Sequence, residues 1–504
     1  MWPRFYRSDL PVIAHYLGSL VLLMGGVMLI PLLVACAMKE WGIVSHYAVG
    51  LGVALVVGSL LRLCKVTPTL LNRRQAIAIT GMAWIAGGLI AAIPLWLSGS
   101  FSSYLDSLFE CVSGLTSTGL TLVNDVDHLS TADNMWRFSL QFLGGQGVIV
   151  IALSLGLFTK SGSSFYNAEG RDEHILPNIK NTAQFIWRFS SLVIIIGTLV
   201  MGTLMIFKGI DPVRSFFHGL WITIGSYDTG GFSPQSSSIM YYHSWALELT
   251  AMLFMMMGAV NFTLYAQAWK GGWRELLTDI ETRTLVVWIV LLLVIFVAAL
   301  SAGDYLTDYA SLVRRGMFTI VSAATNAGYQ TLTTNQMTNM LTSGAFFMIA
   351  VAMVMGGSAG STSGGIKALR VGLIAKGIVA KIKGVLAPES AHITTSYQHV
   401  GKRLMSNDIL SASMVITALY VISYLVGTLV GIAYGYEAIP ATFESISAAS
   451  NAGLSAGIAT PDAPVLLKIV YILQMWMGRL EFLTLLALFA SMVVSLKPKR
   501  KVRR

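Results

Sequence analysis

Four twelve-residue segments decide the fold of this chain: FECVSGLTSTGL (109–120), WITIGSYDTGGF (221–232), FTIVSAATNAGY (318–329) and FESISAASNAGL (443–454). They align without a gap. Each has an aromatic residue ten positions before a shared glycine, a small residue six positions before it, and Leu, Tyr or Phe directly after it. Self-similarity of this kind indicates an internal repeat. The shared glycines are Gly119, Gly231, Gly328 and Gly453.

A second signature follows each segment: two bulky residues and then a glycine, 25, 27, 28 and 25 residues beyond the first glycine. These second glycines are Gly144, Gly258, Gly356 and Gly478. Two marks in the same order at nearly constant spacing predict four copies of one unit, each made of a span, a re-entrant pore loop and a span. We place the units at 71–160, 161–272, 273–400 and 401–504, after a two-helix leading segment at 1–70.

The composition places these units in a membrane. Of the 504 residues, 55% are hydrophobic and only 12% are charged, which excludes a soluble enzyme, a secreted disulfide scaffold and a disordered regulator. The three cysteines show no CxxC pairing, so no thiolate metal site is predicted. Apolar runs of about 20 residues can cross hydrocarbon as helices. We predict an all-α polytopic membrane protein with ten spans, at roughly 13–37, 44–64, 76–98, 136–158, 185–207, 244–268, 284–302, 343–365, 407–433 and 465–494.

The placement of basic residues predicts the orientation. With ten spans both termini lie on one face, and that face collects 26 of the 34 Lys and Arg. The positive-inside rule makes it cytoplasmic, so the net charge of +10 reflects topology and not nucleic-acid binding. The opposite face carries acidic residues that either concentrate cations or only solvate the outer loops. They are Asp106, Asp125, Asp127, Asp133, Asp211, Asp304, Asp308, Glu437 and Asp462.

The re-entrant segments indicate what the repeat does. Irregular backbone has no hydrogen-bond partners in lipid, so it persists at membrane depth only around a protein-lined or water-filled cavity. Each segment is predicted to start as a short helix whose C-terminal end, carrying partial negative charge, points at that cavity. Glycine then allows successive carbonyl oxygens to turn toward a common centre and to replace the hydration shell of an ion. A cation is the natural occupant.

The tandem of four units, with TSTGL, DTGGF, TNAGY and SNAGL at the loop ends, resembles the Trk/Ktr/HKT superfamily of potassium transporters. The two leading spans make the chain most similar to the TrkH-type membrane subunit of bacterial Trk systems. The resemblance implies a pseudo-fourfold pore within one chain, K⁺ as the substrate, a location in the bacterial inner membrane, and a homodimer. It also implies a cytoplasmic ring of regulatory subunits that bind the nucleotide, with no cofactor on this chain.

The resemblance also assigns the selectivity filter, to which each loop would contribute mainly backbone carbonyls. Glycine at the filter position of the first repeat is the family's sign of K⁺ preference. Small-residue packing turns in a generic transporter are the alternative interpretation. An acidic residue nine positions before the glycine is present as Glu110 and Glu444 but replaced by Ile222 and Thr319. The predicted filter residues are Ser117, Thr118, Gly119, Thr229, Gly230, Gly231, Asn326, Ala327, Gly328, Asn451, Ala452 and Gly453.

The segment GGSAGSTSGGIK (356–367) interrupts the second span of the third repeat. Its first residues match the G-x-S-x-G pattern of a nucleophile elbow, but no strand is predicted before them. It also lacks the GK[ST] sequence of a phosphate-binding loop. Its glycines lie too close together for a rigid helix. A flexible packing surface is one interpretation; the resemblance implies instead an intramembrane loop that obstructs the pore and moves during gating. The gating residues predicted here are Gly356, Gly357, Gly360, Gly364, Gly365 and Lys367.

Several charged residues complete these expectations. Arg479 lies inside an apolar run, where it is either a buried structural pair or, as the resemblance implies, a cation below the filter that tunes the rate. Asp228 is either part of the second filter or merely solvated. The basic segment Leu369–Arg403 and the tail KPKRKVRR are predicted to dock a cytoplasmic regulator, although anionic lipid attracts such charge as well. The histidines, His174, His218 and His399 among them, show no ligand spacing and are expected at surfaces or interfaces.

The predicted function is inward transport of K⁺ through the filter, by a transporter and not an enzyme. A secondary transporter of another small solute is the alternative from a different class, but it would show inverted repeats, whereas these four units share one orientation. A less selective K⁺/Na⁺ transporter is a further alternative. An intramembrane protease lacks a coherent placement of Ser and His.

Overall fold

The computed structural model describes residues 4–64, 71–154, 179–301, 309–388 and 394–496. These residues are almost entirely helical. The helices are α1 (Asp9–Ala37), α2 (Trp41–Arg62), α3 (Arg73–Leu97), α4 (Tyr104–Leu115), α5 (Thr131–Gln146), α6 (Val148–Ser154), α7 (Ile179–Ile206), α8 (Pro212–Tyr227), α9 (Trp245–Ala259), α10 (Phe262–Trp269), α11 (Trp273–Thr278), α12 (Ile280–Ser301), α13 (Tyr309–Ala324), α14 (Ser343–Val354), α15 (Ala368–Leu386), α16 (Asn407–Ala433), α17 (Ala438–Ser450), α18 (Val465–Arg479) and α19 (Phe482–Leu496).

The two leading helices form an antiparallel pair that packs against the first repeat. A methyl group added at Gly18 of α1 would lie 2.6 Å from the carbonyl oxygen of Gly58 in α2, so the two backbones touch where glycine permits it. Gly50 of α2 packs in the same way against Pro94 of α3. Such small-residue contacts drive helix association in lipid, where apolar burial contributes little.

Each repeat has a first span, a short helix that stops within the protein, and a second span. Six helices in the described part of the chain are long and apolar enough to cross a membrane unbroken. Four of them are α1, α2, α3 and α7, and the other two are α12 and α16, which begin the third and fourth repeats. The short helices that follow the first spans, α4, α8, α13 and α17, are called pore helices below.

The second spans are not the continuous helices that hydropathy predicts. The predicted span 136–158 is divided at Gly147, and 244–268 bends by 97° between α9 and α10. The predicted span 465–494 bends by 111° between α18 and α19, and 343–365 leaves the helical conformation after Val354. Each break falls within a few residues of the second glycine of its repeat.

The second glycines explain where the helices break. A methyl group added at Gly144 would lie 1.8 Å from the carbonyl oxygen of Leu115, the last residue of α4. Gly258 meets the end of α8 at Tyr227 in the same way, and Gly478 meets Ala449 near the end of α17. The second span therefore presses its backbone against the end of the pore helix. Hydropathy cannot register a contact between segments so far apart in the chain.

A small polar layer lies at the ends of α12 and α15. It contains α11 and a two-stranded antiparallel hairpin, β1 (Ser396–Gln398) and β2 (Lys402–Leu404), in which Tyr397 pairs with Arg403. Parts of the predicted basic face lie outside the described residues: 160–178, 389–393 and the tail from residue 497.

Candidate functional site

The pore helices end at the four filter segments. In α4 and α8 a side chain caps the N-terminal end: Ser103 accepts from the backbone N–H of Asp106, and Asp211 accepts from that of Arg214. At the other end the middle filter residue donates its N–H to the pore-helix carbonyl five positions earlier. The four equivalent bonds run from Thr118 to Ser113 (2.8 Å), Gly230 to Gly225 (2.8 Å), Ala327 to Ser322 (2.9 Å) and Ala452 to Ser447 (2.9 Å).

The filter backbone has the same unusual conformation in all four repeats. The first filter residue is left-handed, with φ of 53° at Ser117, 47° at Thr229, 56° at Asn326 and 55° at Asn451. The third is glycine with φ of 94° at Gly119, 67° at Gly231, 79° at Gly328 and 83° at Gly453. Non-glycine residues rarely adopt positive φ, least of all β-branched threonine. Turning the chain twice in three residues is what aims its carbonyl groups away from the helix.

The four segments close into a ring. A methyl group added at Gly119 would lie 2.3 Å from the carbonyl oxygen of Gly230, and one at Gly231 would lie 2.2 Å from that of Ala327. The third and fourth contacts continue the cycle, from Gly328 to Ala452 at 2.4 Å and from Gly453 back to Thr118 at 2.1 Å. Each glycine thus abuts the middle carbonyl of the next repeat. We call these twelve residues the filter ring; the structure brings together all the predicted filter residues.

An outer cavity of about 270 Å³ has the four filter glycines in its wall. Asp127 stands beside it and binds both the N–H and the hydroxyl of Ser236, at 2.9 and 2.6 Å. Asp125 is exposed, and the hydrogen bond from His128 Nδ1 lowers the pKa of that carboxyl. Cations approaching from this side therefore meet two exposed carboxylates.

Other acidic residues predicted for the outer face do not face solvent. Asp106 is buried in an ion pair with Lys468, 2.5 Å from its Nζ. Asp133 is buried and accepts from the hydroxyl of Tyr47 at 2.8 Å. The expectation that these two residues attract cations or solvate a loop is therefore wrong, because both are used to tie helices together. Asp211, Glu437 and Asp462 are exposed as expected.

Buried carboxylates support the filter of the first and fourth repeats. Glu110 accepts from the backbone N–H of Leu122 at 3.0 Å and from Arg137 Nε at 2.8 Å. Glu444 accepts from the backbone N–H of Ala456 at 2.6 Å. Each carboxylate binds the extended segment just outside the filter glycine, so its contact is with the support of the ring.

The second and third repeats lack these carboxylates and use hydroxyl groups. Tyr329, directly after the third filter glycine, reaches the carbonyl oxygen of Ile222 at 3.3 Å. Its ring also fills the space beside Gly225, where an added methyl group would lie 2.3 Å from the phenol oxygen. In the third repeat the hydroxyls of Thr319 and Thr331 lie 3.5 Å apart. The Thr319–Thr331 contact is equivalent in place to the two carboxylate contacts, whereas Tyr329 joins the third repeat to the pore helix of the second.

Two asparagines of the filter ring bind through their side chains as well. Asn451 Nδ2 donates to Thr118 Oγ1 and to the carbonyl oxygen of Met475, both at 2.9 Å. Asn326 Nδ2 donates to the carbonyl oxygen of Ser450 at 2.7 Å. These bonds join the third repeat to the fourth and the fourth to the first. The expectation of a mainly backbone contribution therefore omits a role in holding the repeats together.

Gln141 is a filter contact that the sequence analysis missed. Its Nε2 donates to the carbonyl oxygen of Gly230 at 2.5 Å, and the side chain is buried. Gly230 is the only middle filter residue without a side chain, and Gln141 occupies that space: an added methyl group would lie 2.7 Å from its amide carbon. A glutamine inside an apolar span was the available signal.

The segment 356–367, here called the inner loop, lies directly against the inner side of the ring. Thr362 Oγ1 is 2.9 Å from the carbonyl oxygen of Tyr227, and Ser363 Oγ donates to that of Thr325 at 2.8 Å. A methyl group at Gly364 would lie 2.3 Å from the carbonyl oxygen of Ser450. The loop therefore touches the ends of three pore helices and donates hydrogen bonds to the carbonyl oxygens of two residues there, Tyr227 and Thr325.

Arg479 and Lys367 hold the inner loop. Arg479 Nη1 donates to the carbonyl oxygen of Thr362 at 2.5 Å, and its Nη2 reaches Gly145 at 3.1 Å. Lys367 Nζ donates to the carbonyl oxygen of Ser363. Arg479 therefore joins the loop to the break in the first repeat. These contacts of Arg479 are with backbone carbonyl oxygens.

Glu281 anchors the same loop from α12, and the sequence analysis did not identify it. Its Oε1 accepts from the backbone N–H of Ala359 at 2.6 Å. Glu281 also belongs to a buried group with Asp279 and His399, whose potential metal-ligand atoms lie within 4.8 Å of one another. The inner loop is thereby connected to the hairpin that carries His399.

His218, His399 and Asp228 are buried, so the exposed alternatives predicted for them, a surface position for the histidines and a solvated Asp228, are wrong. His399 lies 3.3 Å from Asp279, and His218 lies 2.7 Å from the hydroxyl of Tyr242. Asp228 accepts from Gln146 Nε2 at 2.7 Å. Each of the three side chains interacts with a buried neighbour and not with solvent. His174 lies outside the described residues.

The chain is similar throughout its length to known cation transport proteins. Residues 48–498 match the TrkH family, described as a cation transport protein. An uncharacterized cation transporter of Methanocaldococcus jannaschii is 30% identical over 97% of both chains. The Trk system potassium uptake protein TrkH of Halomonas elongata is 30% identical over 95% of this chain and 98% of that protein.

A solved structure has the same fold. The crystal structure of the potassium transporter TrkH from Vibrio parahaemolyticus superposes with a TM-score of 0.79 over 97% of this chain and 98% of that one, at 25% sequence identity. These likenesses confirm the predicted all-α polytopic membrane protein and the predicted superfamily. They also confirm a transporter and not an enzyme. With its family match spanning nine-tenths of its length, the chain belongs to the TrkH family of cation transport proteins.

Proposed function

We propose that the protein carries K⁺ inward across the plasma membrane of its cell through the filter ring. The observation that supports this most strongly is the cyclic contact of the four filter glycines with the middle carbonyl of the next repeat. A ring of carbonyl oxygens at one level can replace the water around a dehydrated monovalent cation. The proposal also transfers to this chain the function for which two similar proteins are named, a potassium uptake protein and a potassium transporter.

The direction of transport follows from the membrane potential. A cation entering a cell that is negative inside gains about 2.3 kcal/mol per 100 mV. The C-terminal ends of the pore helices carry partial negative charge and converge on the ring, so they stabilise a cation there. We orient the ring with its open cavity outside and the inner loop toward the cytoplasm, which puts most of the basic residues and both termini inside.

The inner loop serves as the gate in this proposal. It bonds to carbonyls at the ends of the second and third pore helices, so an ion leaving the ring inward meets it first. Its glycines tolerate several backbone conformations, and side-chain contacts from Arg479 and Glu281 hold the present one. Opening would require those contacts to be exchanged for others.

A cytoplasmic partner would act on the gate through α15, which begins where the inner loop ends. This helix exposes Lys381 and Lys383 next to Ile378, Ile382 and Val385, a basic and apolar surface beyond the inner end of the spans. We propose that a nucleotide-binding regulatory subunit docks there and that the transporter is a homodimer. Neutralising Lys381 and Lys383 should weaken copurification of the partner, and unchanged copurification would reject this docking surface.

A secondary transporter of another solute remains the alternative from a different class. It predicts a binding cavity at an inverted-repeat interface, whereas these four filter segments share one conformation and one hydrogen-bond pattern. A less selective K⁺/Na⁺ transporter differs only in the ratio of the two fluxes.

Cation flux into proteoliposomes tests the proposal. Purified protein is reconstituted, and uptake of Rb⁺ or K⁺ is compared with that of Na⁺ under an inside-negative potential. We expect uptake of K⁺ and Rb⁺ to exceed that of Na⁺. Equal uptake of K⁺ and Na⁺ would support the less selective transporter, and no cation uptake by folded protein with or without its partner would reject the proposal.

A further inference from the structure

A cavity of about 430 Å³ lies between the inner ends of α12 and α15, away from the filter ring. Its wall includes Arg283, Val287 and Leu291 from α12 and Ala375 and Lys376 from α15. The volume falls in the range of small-molecule sites in proteins. Nothing in the transport proposal uses it.

Two of the residues in the cavity wall are cationic, Arg283 and Lys376. Arg283 Nε donates to the carbonyl oxygen of Leu277 at 3.1 Å, and Lys376 Nζ donates to that of Ser396 at 2.9 Å. In the part of the chain that the structure describes, neither side chain forms a salt bridge with a carboxylate. Their charge is therefore available to an anion.

Most of the remaining wall is apolar, although Thr278, Thr284 and Gln398 belong to it as well, and its α12 side is exposed. Val287 and Leu291 are 66% and 51% exposed, one and two turns further into the span α12, and Trp288 lies between them. A span that exposes such side chains faces hydrocarbon. The occupant must therefore combine an anionic group at the membrane surface with an apolar chain directed into the bilayer. We propose that this cavity binds an anionic phospholipid, its phosphate at Arg283 and Lys376 and an acyl chain along Val287 and Leu291.

The bound lipid would stabilise the closed position of the inner loop. The first residue of α15, Ala368, donates its N–H to the carbonyl oxygen of Gly357 within the loop at 3.0 Å. At Gly372 an added methyl group would lie 2.7 Å from Thr284 of α12, so the two helices are already in close contact beside the cavity. A lipid bridging the two helices resists their separation. This consequence rests on the proposed gating; the lipid site itself does not.

Native mass spectrometry of the full chain tests the site. Phosphatidylglycerol is titrated onto wild type, onto the double variant Arg283→Gln/Lys376→Gln, and onto the control Lys270→Gln/Arg274→Gln, which removes the same charge from exposed positions outside the cavity. We expect wild type and control to bind alike and the cavity variant to bind about thirtyfold more weakly, since each of two basic residues near a membrane attracts anionic lipid by about 1 kcal/mol. Phosphatidylcholine should bind weakly to all three.

A second variant protects the test against misfolding. Ala375→Trp fills the cavity while keeping both cations, and it should weaken phosphatidylglycerol binding as the charge variant does. Equal binding by all variants would overturn the proposal. So would displacement of the lipid by millimolar inorganic phosphate, which would indicate a simple anion site. The proposal would also be overturned if the cavity variants changed the oligomeric state of the protein but still bound lipid as wild type does. That result would mean that a second copy of the chain, and not a lipid, occupies the cavity.

Flux measurements separate this inference from the transport proposal. In liposomes of increasing phosphatidylglycerol content, we expect wild type and the Lys270→Gln/Arg274→Gln control to become less active and the cavity variant to stay active. A parallel decrease in all three proteins would contradict the gating consequence. Absence of flux from every protein in every lipid would reject the transport proposal while the binding measurement still decides the lipid site.

Discussion

The filter ring and the inner loop are both glycine-rich and lie in contact, yet they are held in different ways. The ring is fixed by four copies of one backbone hydrogen bond, each from a middle filter residue to its own pore helix. The inner loop comes from one repeat only. It bonds to the backbone of Gly258 and Ala259, and the side chains of Arg479 and Glu281 hold it as well. Four equivalent bonds suit a site that must keep one geometry, and contacts that occur only once suit a segment that changes position.

The largest effect is expected in the ring. Gly119→Ser would place a side chain 2.3 Å from the carbonyl oxygen of Gly230, at a φ of 94° that serine avoids. We expect the K⁺/Na⁺ flux ratio in proteoliposomes to fall by at least about tenfold, equivalent to about 1.4 kcal/mol. Gly435→Ser is the matched control, since Gly435 also has positive φ, 91°, but an added side-chain carbon has no neighbour. Equal ratios in wild type and Gly119→Ser would remove Gly119 from the filter.

Shortening the inner loop should act on rate and not on selectivity. Deletion of Ala359 to Thr362 removes the contacts of Thr362 with Tyr227 and with Arg479. We expect K⁺ uptake to rise severalfold while the K⁺/Na⁺ ratio stays that of wild type, because the ring keeps its own backbone bonds. Loss of uptake by a folded, monodisperse protein would show that the segment packs the structure and does not block the path.

Arg479→Gln should produce a smaller increase in K⁺ uptake, since the loop retains its other bonds. The guanidinium reaches Thr362 and Gly145 at once, and charge-assisted hydrogen bonds of this kind contribute about 1.5–3 kcal/mol each. Arg479→Lys keeps the positive charge but not the forked geometry. A rise in both variants would assign the effect to loop anchoring, whereas a rise only in Arg479→Gln would assign it to charge repulsion of the ion.

Glu281→Gln should have an effect smaller still, by weakening one bond to Ala359 N–H. A neutral amide oxygen still accepts, so we expect an increase in basal K⁺ uptake of about twofold, the scale of a few tenths of a kcal/mol. Glu437→Gln, an exposed carboxylate in an outer loop, is the control. A decrease in uptake for Glu281→Gln relative to that control would contradict its role as an anchor of the closed loop.

The smallest effect is expected from Gln141→Leu, which separates the contribution of a side-chain contact from that of the backbone of the ring. The change removes the donor to the Gly230 carbonyl while keeping the side chain's bulk. We expect a shift of less than about twofold in the Rb⁺/K⁺ uptake ratio, with K⁺ still preferred over Na⁺. A loss of K⁺ preference as large as that of Gly119→Ser would mean that this amide, and not the ring backbone, determines selectivity.

The repeat and its filter could be predicted from sequence because the required backbone leaves a local mark. A positive φ at Gly119 and its three equivalents favours glycine, and that glycine recurs at the same offset from an aromatic residue in every repeat. Hydrophobic length marks the six unbroken spans as well. These signals need no knowledge of which segments meet in space.

The breaks in the second spans and the polar contacts around the ring depend on contacts between distant segments. Gly478 touches Ala449, and Gln141 touches Gly230, but the apolar sequence around each residue is that of an ordinary span. The burial of Asp106 likewise requires Lys468, more than 350 residues away in the chain. Residues of this kind give a weaker signal, a polar or glycine position inside an apolar run, which shows that a partner is needed without identifying it.

Anomalous X-ray scattering from crystals grown with Tl⁺ or Rb⁺ tests the central claim, that the filter ring binds the transported ion. We predict an anomalous peak on the axis of the ring, within coordination distance of the carbonyl oxygens of the four middle residues. The four middle residues are Thr118, Gly230, Ala327 and Ala452. Excess K⁺ should displace the bound Tl⁺ or Rb⁺, and Na⁺ should not. A peak only in the inner loop or between other helices, with none in the ring, would contradict the account.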